Sequence, residues 1–384
     1  MLMTYGVQEA FRKFFDDYRA QRLLTEEQCK AAWAIMLCKS GVLGYNASGC
    51  ENCGYVGIHN NSCRNRNCPS CQAVPKEIWL DNRTSEVIDA SYFHVVFTVP
   101  FELNDLIYDN QLALYPLMHN VVSQTLLQLS ADNKYLGATP GIIQVLHTWG
   151  QELNYHPHVH CVVTGAGLTK TNQFIKGRDG FFVPVQVLSR VFRGKFIYEL
   201  RNLHSANGLF FSNKLSHLSE TAGWEEFIKS LYEKEWVPFI KETFNHFGNA
   251  IEYLGRYTHR IAISNSRIIS VSDEGVSFSA KDYRDGATKT VTLPGVEFIS
   301  RFLMHVLPYG FQKIRYCGFL NNRCKSRNLA IITAITGKIL SKRKLADMSP
   351  ADVILAIWGV NIRICPACNK EGLKPCGRSW HPRS

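Results

Sequence analysis

His158 and His160 flank a single apolar residue, and Tyr253 and Tyr257 stand four apart further along the chain. Alternate side chains of a β-strand share a face, so the two histidines can grip one cation while Val159 packs inward. A third ligand is then wanted, and His147 is the best candidate. Residues 141–149 and 158–163 are apolar, β-branched runs joined by the polar stretch 150–157, a pattern that predicts antiparallel neighbours with His147 beside the pair. His156 lies on the same face and competes as a ligand, but Pro157 bends the strand entry and ranks it lower. Residues four apart on a helix lie on one face, about 6 Å between Cβ atoms, so Tyr253 and Tyr257 can both address one metal-bound phosphate. A phenol with a pKa near 10 is a weak nucleophile, and a divalent ion that neutralises developing charge removes much of that handicap. The product would be a phosphotyrosine bond that conserves the energy of the cleaved linkage. Arg256 and Arg260 beside the tyrosines suit bidentate phosphate contacts, and His259 and Gln151 are further candidates for the metal shell or proton transfer. A hydrolase using the three histidines is disfavoured, because no carboxylate base is obvious next to them and the tyrosines would have no role.

The 13 cysteines are concentrated in knuckles. Cys50-x2-Cys53 and Cys68-x2-Cys71 predict one structural Zn2+ site, with Cys63 as an alternative to one of the four ligands. Such a closed site would fold a small module unable to bury enough core by itself. Arg64 and Arg66 sit inside that module as candidate DNA contacts, with a structural loop the equal alternative. Cys365-x2-Cys368, followed by Cys376 and His381, is a looser candidate for a second Zn2+.

The formal charge of +11 is unevenly placed. From residue 301 onward there are 15 Lys and Arg against 3 Asp and Glu, leaving 28 against 29 before it. A polyanion would therefore be held by the tail, with Lys313, Arg315, Arg323, Lys325 and Arg327 as candidate DNA contacts. Tyr309, Phe311, Tyr316 and Phe319 interleave with that charge and are candidates for base stacking, with ordinary core burial the equal alternative. No GxxxxGK[ST] phosphate loop is present, so strand separation would have to come from the host, from supercoiling or from hairpins already extruded as single strands. The first residues lack an apolar leader segment, and no run approaches the roughly 18 apolar residues of a membrane span. The expectation is a cytoplasmic, nucleoid-associated protein with reduced thiols.

The periodicities predict helices over 8–20 and 25–38, the latter with Thr25 and Gln28 as a capping box. A strand is expected over 92–99 and helical segments over 103–129. Helices at 185–203 and 224–247 would form an insertion, the tyrosines would sit on a helix at 250–258, and short strands follow at 267–272, 275–281 and 288–293.

HTWGQELNYHPHVHCVV at 147–163, NSCRNRNCPSCQ at 61–72, YFHVVFTVP at 92–100, RGKF at 193–196, YLGRYTHR at 253–260 and RFLMHVLPYGFQKIRYCGFL at 301–320 together resemble bacterial rolling-circle transposases of the insertion-sequence-91 type. These are a two-tyrosine branch of the HUH endonucleases, and the resemblance is collinear over nearly the whole chain. It implies an α+β fold, in which an HUH nuclease domain with a central antiparallel sheet flanked by helices follows a four-cysteine zinc module and precedes a basic, mostly helical tail. The corresponding divisions are 1–85, 86–265 with an insertion at about 180–248, and 266–384. It further implies Tyr253 and Tyr257 as nucleophiles, His158, His160 and His147 as ligands of Mg2+ or Mn2+, single-stranded element ends and target DNA as substrates, and host helicase or replication machinery as partners. A plasmid replication initiator or relaxase would share these residues. A non-catalytic zinc-stabilised DNA-binding protein would share the cysteines and the basic tail.

Overall fold

The computed structural model describes residues 6–178, 182–242, 261–282 and 286–380. Its amino-terminal helices follow from the apolar spacing. Val7–Gln21 buries Val7, Ala10, Phe11, Phe14, Phe15 and Tyr18 along one stripe. Glu26–Leu37 starts with the expected reciprocal cap, in which the Gln28 amide donates to Thr25 Oγ1 and the Thr25 amide to Gln28 Oε1. The strands are, in chain order, β1 (Gly44–Cys50), β2 (Val56–Asn60), β3 (Tyr92–Thr98), β4 (Thr139–Trp149), β5 (Tyr155–Leu168), β6 (Phe174–Lys176), β7 (Phe239–Glu242), β8 (Ile268–Val271), β9 (Val276–Lys281), β10 (Thr288–Leu293), β11 (Ile314–Gly318) and β12 (Leu373–Trp380). They form a central antiparallel sheet in the order β11-β4-β5-β3-β7, with β6 beside β5, and two three-stranded sheets, β10-β9-β8 and β12-β1-β2. The class is α+β. Among the described residues no helix is long and apolar enough to cross a membrane.

Alternation along the central strands divides the sheet into two faces. Phe93, Val95, Phe97, Leu146, Val159, Cys161 and Val163 point into the main core, which the helices Gln111–Ala131 and Val185–Ser205 complete with residues such as Val122 and Phe192. Directly opposed residues share a face. His147 opposes His158, and on the other side of β5, Thr98 opposes His158 and Val96 opposes His160. The opposite face therefore carries the histidines at one end. At its other end Tyr92, Ile143 and Val162 are covered by Phe319, Leu320 and the helix Lys325–Thr336.

Two segments differ from the sequence expectation. The helix expected over 224–247 stops at Glu233, and Phe239–Glu242 becomes an edge strand on β3. Pro238 disfavours a helical conformation in the residue before it, and Trp236 is buried against Phe192 and Phe196, so the chain leaves the helix to fill the core. The basic tail contains the helices Lys325–Thr336 and Pro350–Trp358 and also supplies strands to two sheets, β11 to β4 and β12 to β1. Gly318 lets β11 leave the sheet, since its φ is +61° and a Cβ there would lie 1.7 Å from the Pro140 carbonyl oxygen. The helix Gly295–Leu303 crosses the first helix closely, because a Cβ on Gly295 would fall inside the Phe14 ring contact at 2.2 Å. The small sheet β8–β10 matches the expected strands and closes a second core with the first helix.

Candidate functional site

The hairpin β4–β5 places His147, His158 and His160 so that one ring nitrogen of each lies within 4.8 Å of the others. His156, the competing ligand, stays outside this trio but holds part of it in place. His158 Nδ1 is 2.7 Å from the His156 carbonyl oxygen and must carry the proton that it donates, which leaves Nε2 bare. Burial pushes the His158 pKa down to about 4, so the ring is neutral near pH 7. His160 Nδ1 is 2.9 Å from Nε2 of His94, on β3. With the proton on His160 Nδ1 and donated to His94, the His160 Nε2 also turns its lone pair inward. The two Nε2 atoms are 3.1 Å apart, a contact that either a shared proton or a cation can satisfy. Nitrogen ligands about 2.1 Å from one ion and this far apart subtend roughly 95°, close to the octahedral value, so the trio fits a divalent metal. Three imidazoles bind Mn2+ and, more tightly, Co2+, Ni2+ or Zn2+, whereas Mg2+ prefers oxygen donors.

His94, inside the YFHVVFTVP motif, has no role assigned by its sequence pattern. It is a positioning residue, 2% exposed, parallel to the His160 ring at a centroid distance of 5.2 Å. Its only signal in the sequence is a histidine in an otherwise apolar strand. His305 likewise has no sequence pattern that marks it. Its Nδ1 accepts from Thr148 Oγ1 at 3.1 Å and its Nε2 donates to the Leu153 carbonyl at 3.2 Å, so it braces the turn that joins the two histidine strands. Burial lowers its pKa to about 4, which keeps the ring in the neutral form able to do both.

The trio opens into a cavity of about 730 Å³, within the roughly 300–1,000 Å³ of ligand clefts. Its walls include Trp149, which stacks on His147 at 4.6 Å, and Gln151, Phe239, Arg267 and Trp358. Glu77 also lines it and pairs with Lys76 at 3.1 Å. Ile261, Ala262, Ile263 and Ser264 form another part of the wall. Tyr253, Tyr257, Arg256, Arg260 and His259 lie outside the described residues.

The candidate DNA contacts separate into three kinds. Lys313 Nζ stands 4.8 Å from the centre of the Trp149 ring, next to the histidines. Arg64, Arg323 and Arg327 are exposed. The others make internal bonds. Arg66 reaches across to donate to the carbonyls of Leu307, Pro308 and Phe311 at 2.9–3.0 Å, so it latches the zinc module to the 307–311 loop. Lys325 pairs with Glu86 at 2.6 Å, and Arg315 lies against Asn120 and Phe311. Of the aromatic residues, Phe311 and Phe319 are core, and Tyr316 accepts a hydrogen bond from the Trp79 indole. Tyr309 is 85% exposed and free to stack.

The expected zinc site is corrected. Cys50 and Cys53 do not join Cys68 and Cys71. Instead Cys38, Cys63, Cys68 and Cys71 form one cluster, and Cys50, Cys53, Cys365 and Cys368 another. The physical reason is the β1–β2 hairpin. It carries Cys50 and Cys53 at its tip, away from the loop at 63–71, which folds back onto Cys38 just past the helix Glu26–Leu37. Sequence spacing offered no signal for Cys38, which has no near cysteine neighbour of knuckle spacing. In the first cluster Cys71 Sγ is 3.6 Å from both Cys38 and Cys63 Sγ. Four sulfurs at about 2.3 Å around a tetrahedral Zn2+ lie about 3.8 Å apart, so the donor set fits. Hydrogen bonding with Cys63 and Cys68 also holds the Cys38 thiol below its ordinary pKa. Cys376 is exposed and outside both clusters, and His381 is outside the described residues.

Two protein families match this chain. One described as "Transposase zinc-binding domain" matches residues 10–99, which contain the whole first cysteine cluster, and one described as "Putative transposase" matches residues 141–327, which contain the histidine hairpin. The chain is 40% identical over 369 residues to "Putative transposase y4qJ" of Sinorhizobium fredii, covering 95% of this chain and 93% of that protein. It is 27% identical over 311 residues to the "Transposase for insertion sequence element IS801" of Pseudomonas savastanoi pv. phaseolicola, covering 78% and 72%. No solved structure matches.

Proposed function

Since this chain belongs to the insertion-sequence-91-type transposases, we propose that it nicks one DNA strand by tyrosine transesterification at the three-histidine site and transfers that strand to a new location. The observation that carries this reading is the set of inward-facing imidazole nitrogens of His147, His158 and His160 at the floor of an open cavity. His147, His158 and His160 would hold a divalent cation, Mg2+ or Mn2+, which when bound polarises the scissile phosphate and neutralises charge in the transition state.

The chain's own residues supply the rest. Phe239 on β7 and Ile261, which precede and follow the stretch carrying Tyr253 and Tyr257 in the sequence, both line the cavity. The phenol of one tyrosine gives up its proton to solvent as its oxygen attacks phosphorus, the bond to the 3′ oxygen breaks, and that oxygen takes up a proton, leaving the 5′ end on tyrosine. The second tyrosine would accept the other strand end in the transfer step. Lys313 beside Trp149 and the arginines Arg256 and Arg260 would hold flanking phosphates, while exposed Arg64, Arg323 and Arg327 extend the basic track. Single-stranded element ends and target DNA are the substrates in this reading. Strand separation is left to host helicase or replication machinery, in a cytoplasmic, nucleoid-associated setting.

The experiment incubates the purified chain with labelled single-stranded DNA from its element's ends and Mg2+ or Mn2+, followed by a denaturing gel. Label migrating with wild-type protein, absent from Tyr253→Phe/Tyr257→Phe, is expected, and the single variants assign the first nucleophile. Bound DNA with no adduct would sink the proposal in favour of a non-catalytic binding protein.

A further inference from the structure

Cys50, Cys53, Cys365 and Cys368 bring together sulfur atoms from opposite ends of the chain. Cys53 and Cys365 are 312 positions apart and their Sγ atoms are 3.7 Å apart, as are those of Cys50 and Cys368. That separation is too long for a disulfide, whose sulfurs are about 2.05 Å apart. It matches the edge of about 3.8 Å expected of a tetrahedral zinc tetrathiolate.

The backbone gives a second, independent reason. The two knuckles are the same turn built twice. In the first, the Cys50 amide donates to the Tyr55 carbonyl and the Gly54 amide to the Cys50 carbonyl. In the second, the Cys365 amide donates to the Lys370 carbonyl and the Asn369 amide to the Cys365 carbonyl. The residue after the second cysteine is left-handed in both, with φ +72° at Gly54 and +55° at Asn369. Glycine and asparagine are the residues that adopt this conformation at least cost. Each turn directs both thiols of its knuckle to one side, and the two sides face each other.

We propose that these four cysteines bind a second Zn2+ that clasps the carboxy-terminal arm onto the amino-terminal hairpin. Four thiols lose their protons to solvent as the ion binds, with no change of redox state. The ion completes a contact that the chain begins with hydrogen bonds. β12 pairs with β1 from Gly44 opposite Trp380 to Cys50 opposite Leu373, Asn52 Nδ2 donates to the Glu371 carbonyl, and Lys374 pairs with Glu51. A cross-link between such distant positions removes more freedom from the unfolded chain than a local one. The arm it holds also carries Trp358, seven positions before Cys365, into the wall of the histidine cavity. This inference stands independently of the nuclease reading.

Zinc content of the purified full-length chain, measured by mass spectrometry of the metal, tests it. All proteins carry His158→Ala/His160→Ala, which removes any ion held by the histidines, and two ions per chain are then expected with every cysteine intact. Cys50→Ser/Cys53→Ser and Cys365→Ser/Cys368→Ser should each hold one, and the combination of all four should still hold one, because both pairs serve a single ion and the cluster of Cys38 remains. Cys376→Ser should hold two. Amide hydrogen exchange over Leu373–Trp380 should speed up at least tenfold in either double variant, while β4 and β5 stay protected and report that the variant has folded. Two ions retained in Cys365→Ser/Cys368→Ser, or an unchanged exchange rate in β12, would overturn the clasp.

Discussion

Replacing His94 with phenylalanine isolates the positioning of the metal site from its ligands. The ring shape is kept, so packing beside Phe239, whose ring centre is 6.1 Å away, is largely preserved. What is lost is the acceptor for His160 Nδ1 at 2.9 Å in a site where His94 is 2% exposed. A buried N–H left without a partner costs about 1–3 kcal/mol. That cost is relieved if the His160 proton moves to Nε2, the nitrogen a metal needs. The penalty therefore falls on metal binding, and loss of such a partner weakens affinity about 10- to 100-fold, or roughly 1.4–2.7 kcal/mol. Calorimetric titration with Mn2+ and with Co2+, alongside thermal melts, reads both sides of the argument. A 10- to 100-fold weaker affinity with a nearly unchanged melt is expected, and His94→Gln, whose amide oxygen can accept, should recover part of it. An affinity within about twofold of wild type for His94→Phe would refute the tautomer argument.

Acid should destabilise the fold in a defined window. His94, His119 and His305 are each 5% exposed or less, and burial lowers each pKa from 6.5 to about 4. The unfolded chain takes up these protons first, so the stability they contribute is fully present above about pH 6.5 and is lost as pH falls toward 4, on the order of 3 kcal/mol per histidine. Urea melts should show a flat midpoint above pH 7 and a steep fall below 6; a midpoint constant from pH 7.5 to 4.5 would contradict the burial of these rings. Arg66→Ala should lower stability by about 1–2 kcal/mol through the three carbonyls it now bridges, while leaving the salt dependence of DNA binding unchanged. Lys313→Ala should reduce that slope, log K against log salt, by about one. The reverse pattern in filter-binding titrations would return Arg66 to the phosphate contacts.

The local features of this protein are written in its local sequence. The period-two pattern around His158 and His160 is enough to put both on one face, and a polar turn between apolar runs is enough to pair them with His147, because strand register follows from which face must be buried. The capping box at Thr25 and the three small strands after residue 267 are legible for the same reason, since each depends on neighbours a few positions away.

What the sequence could not decide are the partnerships between distant segments. Four cysteines in two knuckles suggest one ion, yet the fold deals them to two clusters and recruits Cys38 to one and Cys365 and Cys368 to the other. Sequence charge identifies candidate phosphate contacts, but only packing shows that Arg66 is engaged by carbonyls and Lys325 by a carboxylate of the chain itself, and that Phe311 and Phe319 belong to the core. His94 becomes part of the metal site only because β3 lies beside β5 with its alternation in phase. Spacing along a chain fixes which side chains share a face of one element. Which elements then meet is set by the burial of apolar surface over the whole molecule, and that is a property no single stretch of sequence carries.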